Sequence, residues 1–168
     1  CLRAIYYRSK YKHGIRALKK SDTILSISRT TTNDLEKMLG ITEHKIKRIY
    51  LAPSFRGQYA ELVNEQPRKN FLFYIGGGDK RRQIQHLISA FNKLNGRGYG
   101  TDLVLAGYEF SLESKELRHD LRKAIETSSY RKQIKLLGTI SDDEKFSLMK
   151  TCKAFIYPSL YEGFGMPV

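Results

Sequence analysis

The closing stretch Tyr157-Pro-Ser-Leu-Tyr-Glu-Gly-Phe-Gly-Met-Pro-Val168 decides the fold of this chain. The apolar run Ala154–Tyr157 predicts a buried strand, which Pro158 ends. A polar loop with one carboxylate, Glu162, follows, and Pro167 stands where a helix would begin. A strand, a glycine-containing loop and a helix in this order are how an open α/β sheet presents a ligand site at its carboxyl edge.

The residues before this stretch repeat the same arrangement. Three apolar runs are each followed or ended by glycine: Phe71–Ile75, Asp102–Ala106 and Ile134–Leu137. Apolar residues at helical spacing separate them, over 84–94 and 117–125, and a capping box of Ser141 and Glu144 opens a third helix, through Met149. Strands alternating with helices predict a Rossmann-like α/β fold, in which a parallel sheet carries helices on both faces. Its binding edge would comprise four loops: Gly76–Arg82, Gly107–Ser111, Gly138–Ser141 and Pro158–Gly165.

The first third of the chain predicts a separate, smaller part. Residues 1–20 contain seven basic residues and no acidic one, which predicts a basic amphipathic helix. It could lie on anionic lipid, but packing on another domain is the preferred interpretation. A short strand in Thr23–Ser28, a helix over Asp34–Leu39 ended by Gly40, and a half-exposed strand in Lys45–Tyr50 follow. The candidate N-caps of that helix are Thr31, Thr32 and Asn33.

Turn-forming residues between the patterned segments predict the domain organisation. Residues 1–52 are predicted to end a first domain, 53–69 to form a linker rich in turn residues, and 70–168 to form a second domain. The chain has 168 residues, begins with Cys1 and stops within an unfinished pattern, so we expect it to be an excerpt of a longer protein. A substantial core is expected, because 40% of the residues are hydrophobic.

The net charge and the cysteine and histidine content indicate which ligands and which compartment to expect. A formal charge of +13 favours anionic partners, such as phosphates, nucleotides, nucleic acid or an acidic membrane surface. Cys1 and Cys152 form no CxxC pair and the four histidines lack ligand spacing, so no metal is expected. Cys152 is predicted to be a packed thiol. The pattern predicts a cytoplasmic protein, and a peripheral position at the inner face of the membrane stays open.

An anion could bind to the loop Gly76-Gly-Gly-Asp-Lys-Arg-Arg82. Its glycines let backbone amides approach an anion, and Arg81 and Arg82 supply forked donors for phosphate oxygens. The loop is neither a P-loop nor a dinucleotide fingerprint, because GxxxxGK[ST] and a third glycine are both absent. Taken alone, it is better explained as a flexible turn before a solvated basic helix.

Glu162 could bind sugar hydroxyls. An ionised carboxylate accepts hydrogen bonds from hydroxyls, so it suits the sugar end of a ligand rather than bare phosphates. A surface glutamate in a turn is the alternative, which this residue alone does not reject. No nucleophile with a base partner and no second glycosidase carboxylate can be placed by spacing.

Together these segments resemble the retaining, family-4 type of nucleotide-sugar glycosyltransferase with the GT-B fold. The segment Ser21-Asp-Thr-Ile-Leu-Ser-Ile-Ser28 is similar to the family's ADxIIxxSxxxxxDL, and Phe73-Tyr-Ile-Gly-Gly-Gly-Asp-Lys-Arg-Arg-Gln-Ile84 to its YVGGxDxRKNI. Leu105–Gly107 and Ile134–Glu144 resemble the segments between. The most specific match is Tyr157–Pro167, which resembles PSLYEGFGLP.

The resemblance implies a role for each matching residue. Glu162 would hold donor-sugar hydroxyls, and Arg81 and Arg82 would stabilise the departing diphosphate. A second set would bind the nucleotide sugar: Gly77, Gly78, Thr139, Ile140, Gly163, Phe164 and Gly165. The implied partners are a nucleotide-sugar donor and a glycan or lipid-linked acceptor, without a metal and without nucleic acid.

Three departures from the family pattern accompany this implication. Arg82 stands where the family has lysine, the second glutamate of its motif would fall beyond Val168, and the usual asparagine-glycine of the linker is replaced near Ala52. As a fragment lacking most of an acceptor domain, the chain is expected to bind a nucleotide sugar weakly without transferring it. The competing hypothesis is a non-catalytic basic α/β module that binds polyanion, nucleic acid or a membrane surface.

Overall fold

The computed structural model describes residues 2–52, 67–111 and 114–165, without the side chains of residues 2–8. The chain divides into two compact units, Cys1–Ser54 with Glu162–Met166, and Phe55–Tyr161 with Pro167–Val168. Most of the predicted linker (53–66) and the helix start predicted at Pro167 lie outside the described residues. Lys69, placed in the linker by sequence, already belongs to a strand.

The first unit is a pair of parallel strands with helices. Its elements are α1 (Leu2–Lys20), β1 (Ile24–Ser26), α2 (Arg29–Leu39) and β2 (Ile46–Arg48). Ile24, Leu35 and Ile41 form its buried core. The predicted helix at the start of the chain is therefore confirmed, and its basic residues from Lys10 onward are exposed. Lys45 lies in a 3₁₀ turn rather than in the strand, so β2 is shorter than predicted.

The predicted N-cap of α2 was wrong. Ser28 has an extended backbone, and its hydroxyl accepts a hydrogen bond from the Thr31 amide at 3.0 Å, so the helix begins at Arg29. Thr31 and Thr32 lie inside the helix, where the Thr32 hydroxyl donates to the Ser28 carbonyl at 3.0 Å. Gly40 ends the helix in the left-handed conformation, as predicted.

The second unit contains the predicted parallel sheet. Its strands are β3 (Lys69–Ile75), β4 (Asp102–Ala106), β5 (Ile134–Gly138) and β6 (Cys152–Phe155), and its helices are α3 (Ile84–Gly96), α4 (His119–Glu126) and α5 (Asp142–Thr151). The strand order is β5-β4-β3-β6, and every pairing is parallel.

Both faces of this sheet are covered. Leu72 and Tyr74 of β3 face one cluster, which includes apolar residues of α3 and α4 such as Phe91. Phe71 and Phe73 face the other cluster, which includes residues of α5. This alternation explains why the strands are continuously apolar, since every side chain of a doubly covered strand packs against a helix.

Strand β6 begins two residues earlier than predicted. Cys152 pairs with Lys69, and Phe155 pairs with Phe73, so pairing to β3 sets the strand bounds. Helix α5 runs into this strand without a loop. Cys152 is buried, as predicted for a packed thiol, and burial raises the pKa of its thiol.

The predicted capping box at the start of α5 is present. The Ser141 amide and then its hydroxyl donate to the Glu144 carboxylate, which lowers the pKa of Glu144. The Ser141 hydroxyl also accepts from the Glu144 amide at 3.2 Å. We expect Ser141→Ala to lower the free energy of unfolding by about 1 kcal/mol in urea titrations. Ser147→Ala, in the exposed part of the same helix, is the matched control and should have no such cost.

The pH dependence of this capping effect has a definite sign. A carboxyl with a lowered pKa contributes stability above its unfolded pKa and loses it as pH falls through the folded pKa. The deficit of Ser141→Ala should therefore shrink in acid. A deficit equal to that of Ser147→Ala at neutral pH would contradict the capping role.

Candidate functional site

The carboxyl ends of β3 and β6 lie side by side in the sheet. The chain leaves β3 towards β4 on one side and returns through β6 on the other, so the order reverses at this edge. Ligands of open α/β sheets bind at such a reversal. The predicted glycine turn Gly76–Gly78 follows β3, and the terminal loop follows β6, so two of the four predicted loops begin at this edge.

The glycine turn is anchored through its carbonyl groups. The Tyr74 hydroxyl donates to the Gly77 carbonyl at 2.7 Å, and the Arg118 guanidinium donates to the Gly78 carbonyl at 2.9 Å. The C=O and the following N–H of a trans peptide point in opposite directions. The amides of Gly78 and Asp79 therefore face away from these anchors, and neither donates a hydrogen bond to another described residue.

The side chains of Arg81 and Arg82 both approach the carboxylate of Asp79. Asp79 caps the 3₁₀ turn Lys80–Arg82 by accepting from the Arg81 amide at 3.2 Å. It also accepts from Arg81 Nε at 3.0 Å and lies 3.7 Å from Arg82 Nε. One acidic and three basic side chains leave the turn positively charged.

The two arginines differ in how firmly they are held. The Arg82 side chain is 15% exposed, whereas that of Arg81 is 53% exposed. Arg82 donates to the Tyr157 hydroxyl, and its guanidinium carbon lies 5.0 Å from the Tyr157 ring centre. The Tyr157 ring stacks on Tyr74, with centroids 6.2 Å apart. Tyr74 therefore contacts both the glycine turn and the ring that holds Arg82.

The loop after β6 is joined to the same cluster. The Leu160 amide donates to the Arg81 carbonyl at 2.8 Å. The Ser159 hydroxyl donates to the Tyr161 carbonyl at 3.1 Å. The backbone from Tyr157 to Leu160 thus lies against the arginine turn.

Thr139 and Ile140, predicted to lie near a base, connect β5 to α5. Gly138 precedes them in the left-handed conformation, with φ at 68°. Thr139 is exposed, and the Ile140 side chain packs against the core cluster of Phe73. Ile140 can therefore offer a ligand its backbone more readily than its side chain.

Glu162, Gly163, Phe164 and Gly165 belong to the first compact unit. A Cβ added to Gly163 would lie 3.4 Å from the Thr31 hydroxyl, so this loop approaches the first turn of α2. Within the same unit, the Phe164 ring lies 6.4 Å from that of Tyr50. The convergence of Glu162 with the two arginines of the second unit stays a prediction.

Sequence reasoning missed four residues around the glycine turn: Tyr74, Glu109, Arg118 and Tyr157. Arg118 lies 40 positions from Gly78, and local spacing carries no signal for that contact. Tyr74 had a signal, because a tyrosine near the end of a buried strand needs a partner for its hydroxyl.

Comparison with known proteins identifies the family. Residues 55–168 match the family model for glycosyl transferases group 1. The chain belongs to this family. It is 25% identical to the serotype-specific mannosyltransferase WbdA of Escherichia coli, covering 96% of this chain and 21% of that protein. It is 29% identical to the O-antigen chain mannosyltransferase B of Escherichia coli, covering 98% of this chain and 44% of that protein.

The structure of TarM has the same fold. It superposes with a TM-score of 0.65 at 15% identity, covering 94% of this chain and 29% of TarM. The predicted GT-B type of α/β fold is thereby confirmed. This group 1 chain spans less than half the length of either mannosyltransferase it matches.

Family membership favours the enzyme over the non-catalytic basic module.

No helix among the described residues is long and apolar enough to cross a bilayer.

Proposed function

We propose that this chain forms the donor-binding part of a retaining glycosyltransferase, which moves a hexosyl group from a nucleoside diphosphate sugar to an acceptor hydroxyl. The observation that carries the proposal is the pairing of the anchored glycine turn with Arg81 and Arg82 at the carboxyl edge of β3. The names of two relatives make mannose the first donor sugar to test. The acceptor would be a glycan or a lipid-linked sugar.

The arginines, the backbone amides and Glu162 would have different roles in the transfer. As the bond between the anomeric carbon and the diphosphate breaks, negative charge grows on the diphosphate, and Arg81 and Arg82 stabilise it. The backbone of Gly77 and Gly78 would approach the diphosphate, and the amides of Gly78 and Asp79 would add oriented dipoles. Glu162 accepts hydrogen bonds from sugar hydroxyls. The guanidinium groups supply the positive charge, so we expect transfer without a divalent metal.

Two further loop segments would surround the sugar, the phosphates and the base. The backbone of Gly163, Phe164 and Gly165 would line the sugar and the phosphates, and Thr139 and Ile140 would lie near the base. The enzyme would act in the cytoplasm, where the exposed basic face of α1 could contact anionic lipid.

The direct test uses the full-length protein with a panel of nucleoside diphosphate hexoses and candidate acceptors. We expect mass spectrometry to detect a hexosyl product, NMR to show a retained anomeric configuration, and chelation by EDTA to leave the rate unchanged. Glu162→Gln should lower kcat/KM by about 10²-fold, because the sugar loses its charged acceptor. Glu116→Gln removes an exposed carboxylate outside the proposed site and is the matched control.

Two results would contradict the proposal. One is stabilisation by heparin or DNA that equals stabilisation by nucleoside diphosphates and is indifferent to Glu162, which is the behaviour of a polyanion-binding module. The other is an inverted product. For the 168-residue chain alone we propose donor binding without transfer, and turnover by that chain would refute this part.

A further inference from the structure

A carboxylate lies against the glycine turn. Glu109 follows β4 in a 3₁₀ turn, Tyr108–Phe110, which the fully buried Phe110 fixes to the core. A Cβ built on Gly77 would lie 3.2 Å from Glu109 Oε1, and one built on Gly78 would lie 2.8 Å from Oε2. Both carboxylate oxygens therefore touch the space beside two consecutive glycines.

The interactions of the described residues do not explain the position of this carboxylate. Within the described part of the chain, no hydrogen bond or ion pair engages Glu109. The nearby Arg118 donates to the Gly78 carbonyl and to Asp120 instead. Among the described residues no side chain pairs with Glu109, so its negative charge lies unpaired beside the turn that we assign to the diphosphate.

Bond lengths limit how far this charge can be from a bound phosphate. An oxygen 2.8 Å from the Cβ position of Gly78 is within about 6 Å of the Gly78 nitrogen, whatever the direction. A phosphate oxygen that accepts from this amide would be within about 9 Å of the carboxylate. The screening length at physiological salt is about 8 Å, so the two negative charges repel each other appreciably.

We infer that Glu109 is a specificity-determining residue that weakens binding of the nucleoside diphosphate product more than binding of the nucleotide sugar. The inference rests on the proposed function. A nucleotide sugar carries two negative charges on its diphosphate, whereas the released nucleoside diphosphate gains most of a third at neutral pH. The carboxylate therefore repels the product more strongly and favours its release after each transfer.

Isothermal titration of the full-length protein with GDP and UDP tests this inference. Glu109→Gln should lower Kd for the diphosphate that the wild type binds by about three- to tenfold, and Kd for the corresponding nucleotide sugar by less. Glu109→Ala should act in the same direction, which excludes a new hydrogen bond from glutamine as the cause. The gain should fall as salt is raised, because screening weakens charge repulsion but not a packing effect.

Glu126→Gln is the matched control. Glu126 ends α4, and Arg118, which contacts the turn, lies eight residues earlier, about 12 Å along the helix axis. This variant should bind GDP and UDP as the wild type does. A Kd that is unchanged or raised in both Glu109 variants would overturn the inference, as would a gain that salt does not affect.

The outcomes also separate this inference from the proposed function. If the wild type binds neither diphosphate, the proposed function fails first. If the wild type binds and Arg82→Ala weakens binding, but Glu109→Gln does not strengthen it, only the role of Glu109 is refuted. Weaker binding of the nucleotide sugar alone in Glu109→Gln would make this residue a hydroxyl acceptor, which also overturns the inference.

Discussion

Replacing Arg82 with alanine in the full-length protein is expected to lower kcat/KM for the nucleotide sugar by about 10²- to 10³-fold, the loss typical of removing one preorganised donor from a transition state. Arg82 is the better-held of the two arginines, since Tyr157 contacts it through its hydroxyl and its ring. A held guanidinium needs little reorganisation when charge develops on the diphosphate. Most of the loss should appear in kcat, because that charge is largest in the transition state.

Two further variants separate charge from packing. Arg82→Lys keeps the charge but loses the forked geometry, and the family motif that this chain resembles has lysine here, so this variant should recover most of the activity. Arg97→Ala removes an exposed arginine next to the other end of α3 and should leave the kinetics unchanged. Thermal melts of each variant show whether loss of the Arg82 packing lowers stability. A drop in kcat/KM that merely follows the loss of folded protein would contradict a catalytic role.

The charge balance of the site explains why Arg82 should matter more than Arg81. Asp79 pairs with both, but its contact to Arg81 Nε is 3.0 Å and that to Arg82 is 3.7 Å. An exposed pair such as Arg81–Asp79 is worth little in water and rearranges at low cost. Arg82 is instead held by the Tyr157 ring and hydroxyl and is largely buried, so moving it would cost these contacts.

The fold was largely predictable because its signals are local. Each apolar run between glycines became a strand of the sheet, and the capping box of Ser141 and Glu144 formed as predicted. The errors occurred at element boundaries, one set by a tertiary pairing and the other by a local cap. Pairing with β3 starts the last strand at Cys152, and the extended backbone of Ser28 starts α2 three residues before the first N-cap candidate.

The candidate site was predictable only in part, for the same reason. Arg81 and Arg82 closely follow the glycine run in sequence, so local chemistry suggested them as phosphate ligands, and that role stays a prediction. Glu109 and Arg118 reach the turn from other loops, and only the topology of the sheet places them there. Local sequence can thus suggest candidate ligands within one loop, but it carries no signal for neighbours that the sheet brings in from elsewhere along the chain.

Gly107→Ala is expected to be the most destabilising of these substitutions, with a loss of about 3–5 kcal/mol in the free energy of unfolding. Gly107 has φ at 138°, and a Cβ there would lie 2.1 Å from the Gly76 carbonyl oxygen. Backbone atoms cannot swing away as a flexible side chain can. Urea titration and the yield of folded protein measure the effect, and a protein at the low end of the typical range of about 5–15 kcal/mol would become barely stable.

Gly98→Ala separates backbone strain from this clash. Gly98 also has a positive φ, 86°, but a Cβ there would meet nothing within 4 Å, so only the conformational cost of about 1 kcal/mol should remain. Equal losses in the two variants would refute the clash argument.

The position of Gly107 also predicts a loss of binding in any protein that still folds. The Gly107 amide donates to the Gly138 carbonyl at 2.7 Å, and the Gly76 amide donates to the Ala106 carbonyl at 3.0 Å, so these bonds join the ends of three neighbouring strands. Relief of the clash must move Gly107 and Gly76 apart, and Gly76 is the first residue of the turn whose amides we assign to the diphosphate. The folded fraction of Gly107→Ala should therefore bind nucleoside diphosphate more weakly than Gly98→Ala at equal folded concentration, and equal affinity would show that the turn does not depend on this junction.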